Sequence, residues 1–467
     1  FLYQVATALL EPTGAAHPVR SLVRGLPNVD FRLAEVTGVD LTRRVLRTDR
    51  GEVPYDYLVL AAGAVNDYFG HPDLAAHTFA LGDLGEALAL RNHVLASFEA
   101  AAWATDPGER SRLLHVVVVG GGPTGVELSA ALAVLFRQLA GGDFPTIGPE
   151  EVRLTLVEGS GEPLPSFAPD SQAAAERSLR RKGVRVESGS EVTAADELGV
   201  TLADGRRIEA RTVVWAAGVR ASPLAGTLPA TGSHHRAIVG ASLQVERHPE
   251  VFVVGDMAQI PGTAGALPMV AQVAIQSGRR AARSILALAG GGEARPFGYR
   301  DLGAMAALGR GDAVAEVGAV HLQGLPGWAA WLGLHIARTV GLQARATVLL
   351  DWASGFLFAD RPVRLITGPE RQAVRGTVSS SSSSSGGEPA VTAAPVPHAR
   401  ADLPSVSVAN ANRWGRTAAL AWWSQSYPGL RPEPERRRGL GALRARATRL
   451  RQALTGEKSK TEDWTRG

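Results

Sequence analysis

The residues best placed to do chemistry are three glycines, Gly120, Gly122 and Gly125, in the run H-V-V-V-V-G-G-G-P-T-G-V-E from His115 to Glu127. Their spacing is G-x-G-x-x-G. The first glycine lets the chain turn sharply. The second lets backbone approach a diphosphate, and the third lets the next helix pack close to the preceding strand. A helix starting there leaves backbone N–H groups free and points its positive dipole end at the turn. The chemistry on offer is therefore phosphate binding. A lone motif of this kind is weak, and its flanks decide it.

Those flanks are a strand and a helix. Val116 to Val119 form an apolar run without charge, as expected for a strand buried on both faces of a parallel sheet. The helix V-E-L-S-A-A-L-A-V-L-F follows and is rich in good helix formers. A second strand, Val152 to Val157, ends at Glu158. A carboxylate at that strand end accepts hydrogen bonds from a ribose 2′-hydroxyl and repels a 2′-phosphate, which points to NADH rather than NADPH. The acid lies farther on than the usual roughly 20 residues, and the surplus reads as an extended helix and loop through Phe136 to Glu150. The plainer alternative is a glycine-rich turn with Glu158 merely on the surface. The strand–turn–helix–strand order argues against it.

At 467 residues the chain has room for two or three domains. The absence of cysteine excludes disulfides, thiolate metal sites, iron–sulfur ligation and cysteine redox relays. No metal site is expected. Residues 376 to 467 hold 14 Lys and Arg against 7 Asp and Glu, while the rest hold 35 against 38. The basic balance thus belongs to a tail and is no footprint of a nucleic-acid-binding fold. No signal peptide is visible. Residue 1 is Phe, so the chain reads as less than a full translation product.

Ahead of the glycine turn, strands are expected at Val29 to Val36, Val45 to Thr48 and Tyr57 to Ala62. The last runs into Ala61-Ala62-Gly63, small residues that suit close approach of backbone to a flat ligand or simply a tight strand exit. Leu81 to Ala104 has helical spacing. After Glu158, a helix is expected at Ser171 to Lys182, a strand at Val184 to Val186 and a hairpin turn at Asp204-Gly205. Val213 to Gly218 repeats the texture of Leu58 to Gly63, which suggests two related nucleotide-binding units. His248 to Ala258 reads as a buried strand ending at Gly255-Asp256, where an acid suits ribityl hydroxyls or a bridge to phosphate. Gln272 and Gln276 share one helix face four residues apart. They are either site residues or satisfied polar groups at a domain seam.

Asp301 to Val320 contains a hairpin pattern. Val317 to Ala337 has no Asp, Glu, Lys or Arg for 21 residues, but Pro326-Gly327 breaks it as a membrane span. A helix from about Gly327 puts Trp328, Trp331, Leu332, His335, Ile336 and Leu342 on one face. A second brings Val348, Leu349, Trp352 and Phe356 together. Tryptophans with Arg338 and Arg345 nearby fit a helix in the membrane interface, or an ordinary core or dimer helix. From Gly376 the chain turns Ser-, Pro- and Arg-rich, with seven serines at Ser379 to Ser385. This reads as a disordered tail whose segments Arg413 to Trp423 and Arg436 to Arg451 fold on a partner.

Together these pieces resemble the type II NADH dehydrogenases, single-subunit NADH:quinone oxidoreductases of the two-dinucleotide-binding flavoprotein class. The resemblance runs from Phe1 to about Ile366. It rests on F-L-Y-Q-V-A-T at 1–7, G-G-G-P-T-G-V-E at 120–127, V-F-V-V-G-D-M-A at 251–258 and A-Q-V-A-I-Q at 271–276. It implies an α/β fold with two Rossmann-like domains and a C-terminal α+β membrane-surface domain. The implied boundaries are an FAD domain at 1–81 and 221–300, an NADH domain at 82–220, a membrane-association domain at 301–375 and the tail at 376–467. NADH is then expected against Gly120, Gly122, Gly125 and Glu158. FAD is expected against Ala61, Ala62, Gly63, Gly218, Gly255 and Asp256. Gln272 and Gln276 would line the quinone pocket, with Glu127 near the nicotinamide–flavin junction. Trp328, Trp331, Trp352 and Phe356 would enter the lipid surface. The implied reaction passes hydride from NADH to flavin and two electrons on to a membrane quinone, without proton pumping. The enzyme would be a peripheral homodimer on the cytoplasmic face of the plasma membrane.

Three departures qualify that expectation. The family's first strand and glycine turn, for the FAD diphosphate, would lie before F-L-Y-Q and are not in this sequence. The strand exits read A-A-G where the family often has A-T-G or T-A-G. Leu302 stands where the family often has Lys. The chain as given is therefore expected to purify without stoichiometric FAD, and an upstream strand–glycine turn–helix to restore it. Two rivals stay open: a flavin-deficient chain that only binds NADH, and a flavin reductase of a soluble acceptor.

Overall fold

A four-stranded parallel sheet lies at the centre of the computed structural model, in the order Thr212–Trp215, His115–Val119, Arg153–Glu158, Val184–Ser188. The structure describes residues 1–263, 265–338, 348–350, 352 and 364–367. All five residues of His115–Val119 are buried. Successive side chains of a strand face opposite ways, and the valines divide accordingly. Val116 and Val118 join Leu154, Leu156 and Val214 on one face, under the helices Leu84–Trp103 and Pro123–Leu139. Val117 and Val119 join Val157, Val213 and Trp215 on the other, under Val192, Val200 and Leu202 of an antiparallel three-stranded sheet. A strand covered on both faces needs no polar residue, which is why this run has none.

A second unit is built on the parallel pair Leu58–Leu60 and His248–Val253. Val251 to Val254 are buried with Leu58, Leu60, Val273 and Ala281, the last two from the helix Ala271–Ala289. An antiparallel meander, Val36–Asp40, Val45–Thr48 and Gly51–Pro54, precedes it. The expected strand at Val29 to Val36 is corrected: only Val36 is in a strand. Val29 and Leu33 are 43% and 74% exposed, and without a buried face apolar residues there have no reason to pair.

The first ten residues pack against the glycine-turn helix and the helix before it. Leu2–Ala6 is a helix, and Tyr3, Val5, Ala6 and Leu10 are buried with Leu90, Val94 and Leu128 of the unit around the glycine turn.

The C-terminal part is a three-stranded antiparallel sheet, Ala304–Gly309, Asp312–Val317 and Val320–Gln323, with the helix Gly324–Arg338. Pro326-Gly327 does not delay this helix to Gly327. Proline in a first turn lacks only an N–H that would be unpaired there anyway. Gly327 is needed for contact, since a Cβ would lie 2.5 Å from the Ala313 carbonyl oxygen. The sheet grips the helix Pro169–Arg181 at both ends. Ala168 N–H donates to Glu316 (2.9 Å) and His321 Nδ1 lies 3.1 Å from Asp170. At the other end Lys182 Nζ lies 3.0 Å from Asp312, which also accepts from Ser178. Burial alone would raise the Asp312 carboxyl, but the bonds from Ser178 and Lys182 hold it below its ordinary value.

The tryptophans require a correction. Trp331 is 4% exposed and packs with Ala307 and Ala313, against which Trp328 and Trp352 are partly buried. Trp331 stacks on His335 at 4.3 Å and meets the Trp352 ring at 5.2 Å. Trp352 Nε1–H donates to Gln4 Oε1 (2.9 Å). Trp331 is therefore a core residue turned away from any lipid surface, and Trp352 is partly buried against the same core. The side chains turned outward here are Leu325, Leu334, Leu349 and Leu350. Phe356, Leu342, Arg345, the side chain of Arg338 and residues 376–467 lie outside the described residues. Among the described residues no helix is long and apolar enough to cross a membrane.

Phe98 is 2% exposed and its ring meets those of Phe136 and Phe144, each at 5.6 Å. Phe98→Ala should cost about 3–5 kcal/mol by the cavity it leaves. Chemical denaturation measures this, and a loss below about 1 kcal/mol would mean the helix Leu84–Trp103 is not part of this core.

Candidate functional site

Gly120 adopts φ +106°, and a Cβ there would lie 2.4 Å from Ala217 Cα. A Cβ on Gly125 would lie 1.8 Å from the Gly120 carbonyl oxygen. No side chain fits either place, so the helix Pro123–Leu139 crosses the strand end at the closest possible distance. Gly122 is the N-cap residue of that helix and Pro123 fills its first position. Space opens beside Gly122, where no atom lies within 4 Å of a Cβ. The result is a helix N-terminus with room in front of it, suited to a diphosphate.

Glu158 sits beside this turn and is 8% exposed. Its Oε2 accepts from Gly121 N–H. Its Oε1 accepts from the Ser160 N–H (2.7 Å) and the Ser160 hydroxyl (2.6 Å). Leu164 N–H in turn donates to the Gly121 carbonyl (2.7 Å). The loop after the strand is thus tied to the glycine turn at both polar groups of Gly121. Sequence reasoning found Glu158 and missed Ser160. The available signal was a hydroxyl two residues past a strand-end acid, a spacing that favours a local turn bond.

The two Ala-Ala-Gly exits lead to one seam. Residues Ala64–Asn66 follow the first exit and Val219–Ala221 the second, and they pair antiparallel, Ala64 with Ala221 and Asn66 with Val219. Ala61 and Ala62 are exposed, and space is open beside Gly63, at φ +66°. Gly218 has a packing reason: a Cβ would lie 2.6 Å from the Phe69 ring. Gly255, at φ +64°, donates its N–H to Ser277 of the helix Ala271–Ala289 (3.1 Å). Next to it, Asp256 carries a buried Oδ1 with no hydrogen-bond partner. Burial raises its carboxyl, with Arg236 opposing. A buried acceptor without a partner at the carboxyl end of a strand fits a ligand hydroxyl, so these residues fit a flavin nucleotide.

Gln272, Gln276 and Glu127 hold one extended segment. Gln276 accepts from Arg300 N–H (3.0 Å) and donates to Arg300 O (2.8 Å). Gln272 accepts from Leu302 N–H (3.0 Å) and donates to Gly303 O (2.9 Å). Glu127, from the glycine-turn helix, accepts from Ala307 N–H (3.0 Å). Both amides are engaged as seam clasps. Glu127 keeps part of its surface in reach of solvent, yet neighbouring atoms surround it. Burial raises it to about 7, against the pull of the Ala307 hydrogen bond. The buried Trp331 indole N–H, near enough to steady its charge, makes no hydrogen bond of normal geometry.

Residues 3–278 match the family of pyridine nucleotide-disulphide oxidoreductases. The chain is 39% identical over 385 residues to the type II NADH:quinone oxidoreductase NdhA of Mycobacterium tuberculosis, covering 78% of this chain and 81% of that one. It is 30% identical to the type II NADH:quinone oxidoreductase of Staphylococcus saprophyticus, over 69% of this chain and 81% of the other. In fold it is similar to NDH2 from Plasmodium falciparum, solved in complex with NADH, with a TM-score of 0.71 at 17% identity. That match covers 78% of this chain and 91% of the other.

Glu127 generates a pH prediction. Its folded value, about 7, lies above the unfolded carboxyl value of 4.5. Its contribution to stability is present in full below the unfolded value and is lost as pH rises through about 7. Glu127→Gln should flatten this part of the stability profile. Denaturant titrations across that range read it directly; an unchanged slope would remove Glu127 as its source.

Proposed function

The chain belongs to the type II NADH:quinone oxidoreductases, and from that premise we propose how its residues carry the reaction. It is an NADH dehydrogenase. In our reading NADH lays its diphosphate before the N-terminus of Pro123–Leu139, beside Gly122, with the adenosine ribose on Glu158. The Ala61–Gly63 exit, Gly255 and Asp256 would hold FAD. Held there, FAD would supply the redox chemistry between NADH and a quinone, hydride acceptance on one side and two-electron transfer on the other. The observation that carries this reading is the antiparallel pairing of the two strand exits, Ala64–Asn66 with Val219–Ala221. It supports two nucleotides meeting end to end at one seam.

The side chains near that seam position and hold protons. Gln272 and Gln276 fix the Arg300–Gly303 backbone, which would then form one wall of the quinone pocket. Burial raises the Glu127 carboxyl to about 7, so near neutral pH it passes between its protonated and charged forms and is suited to supply a proton as the quinone is reduced. Its bond to Ala307 ties the NADH helix to the C-terminal sheet. Leu302 donates its backbone N–H to Gln272.

For membrane attachment the outward leucines replace the tryptophans. Leu325 and Leu350 are 62% and 69% exposed, and Leu334 and Leu349 are exposed as well. A fully exposed leucine gains about 1.5–3 kcal/mol on full burial, and these four, 39% to 69% exposed, each gain a part of that, which together suits peripheral binding. We place them at the cytoplasmic face of the membrane.

The test uses liposomes that carry quinone. Wild-type protein loaded with FAD should sediment with them and reduce their quinone as it oxidises NADH. Replacing Leu325, Leu334, Leu349 and Leu350 together with Ser should leave the protein in the supernatant, still reducing a water-soluble acceptor at the wild-type rate. Wild-type protein that reduces soluble acceptors and never lipid-embedded quinone would contradict the quinone assignment.

A further inference from the structure

Ser160 has no role in the reading above beyond touching Glu158, and the hydrogen-bond count around that carboxylate gives it one. A carboxylate offers about four acceptor positions, two on each oxygen. Oε1 of Glu158 receives two donors from one residue, the Ser160 N–H at 2.7 Å and its hydroxyl at 2.6 Å. Its positions are filled. Oε2 receives one donor, Gly121 N–H, and keeps one position open. The carboxylate lies directly over the glycine turn, since a Cβ on Gly121 would come within 2.8 Å of Oε2. The oxygen left with capacity is therefore the one beside the turn, where the nucleotide's diphosphate would lie.

We propose that Ser160 is a specificity-determining positioning residue: by saturating Oε1 it fixes the carboxylate plane and leaves Oε2 alone to accept a ribose 2′-hydroxyl. This rests on the reading that NADH binds at the Gly120–Gly125 turn. A fixed carboxylate discriminates in two ways. It offers a pre-aimed acceptor to a 2′-hydroxyl, which has a proton to give. It also presents an immovable negative charge to a 2′-phosphate, which has none. A carboxylate free to swing would lose the first advantage and relieve the second penalty together. Ser160 is exposed, so it is reachable by a ligand and replaceable without opening the core. Its hydroxyl is the part a substitution can remove, since the backbone N–H remains. The loop that carries it is held independently by Leu164 N–H on the Gly121 carbonyl.

The test measures NADH and NADPH binding by nicotinamide fluorescence on wild type, Ser160→Ala, Ser160→Gly and Ser160→Thr, with no electron acceptor needed. Ser160→Ala should weaken NADH about five- to tenfold, the scale of one ordinary hydrogen bond, while NADPH binds as before or more tightly. Ser160→Gly should match it, and Ser160→Thr, which keeps the hydroxyl, should restore the wild-type ratio. In turnover with a water-soluble acceptor the loss should fall on KM for NADH and leave kcat unchanged. A ratio of the two affinities within about twofold of wild type in both the Ala and Gly variants would overturn the proposal. So would an equal loss of both nucleotides, which would mark Ser160 as a loop brace only. Wild-type protein that binds neither nucleotide would instead overturn the NADH reading, and this inference with it.

Discussion

The structure depends on one close approach, that of the Pro123–Leu139 helix to the Gly120 carbonyl at Gly125. Any side chain at either position would push the helix away from the sheet. With glycine at both, the helix N-terminus stands directly at the carboxyl end of the His115–Val119 strand. The same turn is pressed against Ala216 and Ala217, which aligns the neighbouring strand exit with it. That exit runs on into Val219–Ala221, and its pairing with Ala64–Asn66 joins the second unit. One steric constraint thus orients the proposed phosphate and ribose sites and the seam between the two strand exits.

The C-terminal part is placed by a different device. Polar side chains from both units take hold of the segment from Arg300 to Ala307, each through backbone groups. Gln276 and Gln272 come from the Ala271–Ala289 helix and Glu127 from the glycine-turn helix. The N–H of buried Ala307 finds its acceptor this way, while the groups on Arg300 and Leu302 lie at an exposed surface. It also couples the ionisation of Glu127 to the position of the C-terminal sheet. The Lys182–Asp312 pair and the Glu316 and His321 contacts add grips on the same sheet from the Pro169–Arg181 helix. The three side chains nearest the proposed chemistry are therefore also what keeps that part of the molecule in place.

What was legible in the sequence follows from this physics. The valine strand was readable because burial on both faces removes every polar residue from it. The helix Leu84–Trp103 was readable from its spacing and is closed by a capping box between Asp83 and Glu86. The Gln272–Gln276 pair was seen, and its alternative as a domain-seam feature describes where the amides go. The tryptophans were ambiguous because an aromatic stripe at helical spacing looks the same facing lipid or facing Ala307 and Ala313. Only the hairpin, brought there by long-range packing, decides it. The stretch from Val29 to Glu35 failed as a strand because local β-propensity means little without a partner strand. Ser160 carried only the signal of a hydroxyl two residues past a strand-end acid, which suggests a local turn bond but not which carboxylate oxygen it fills, since no sequence pattern specifies that rotamer.

The central claim is that NADH binds at the Gly120–Gly125 turn with its adenosine ribose on Glu158. A structure of the protein with NADH bound tests it most directly. The account predicts the diphosphate in front of the Pro123–Leu139 helix, beside Gly122, and a ribose 2′-hydroxyl within about 3 Å of Glu158 Oε2. A nucleotide whose diphosphate lies away from that helix, or whose ribose leaves Glu158 untouched, would contradict it.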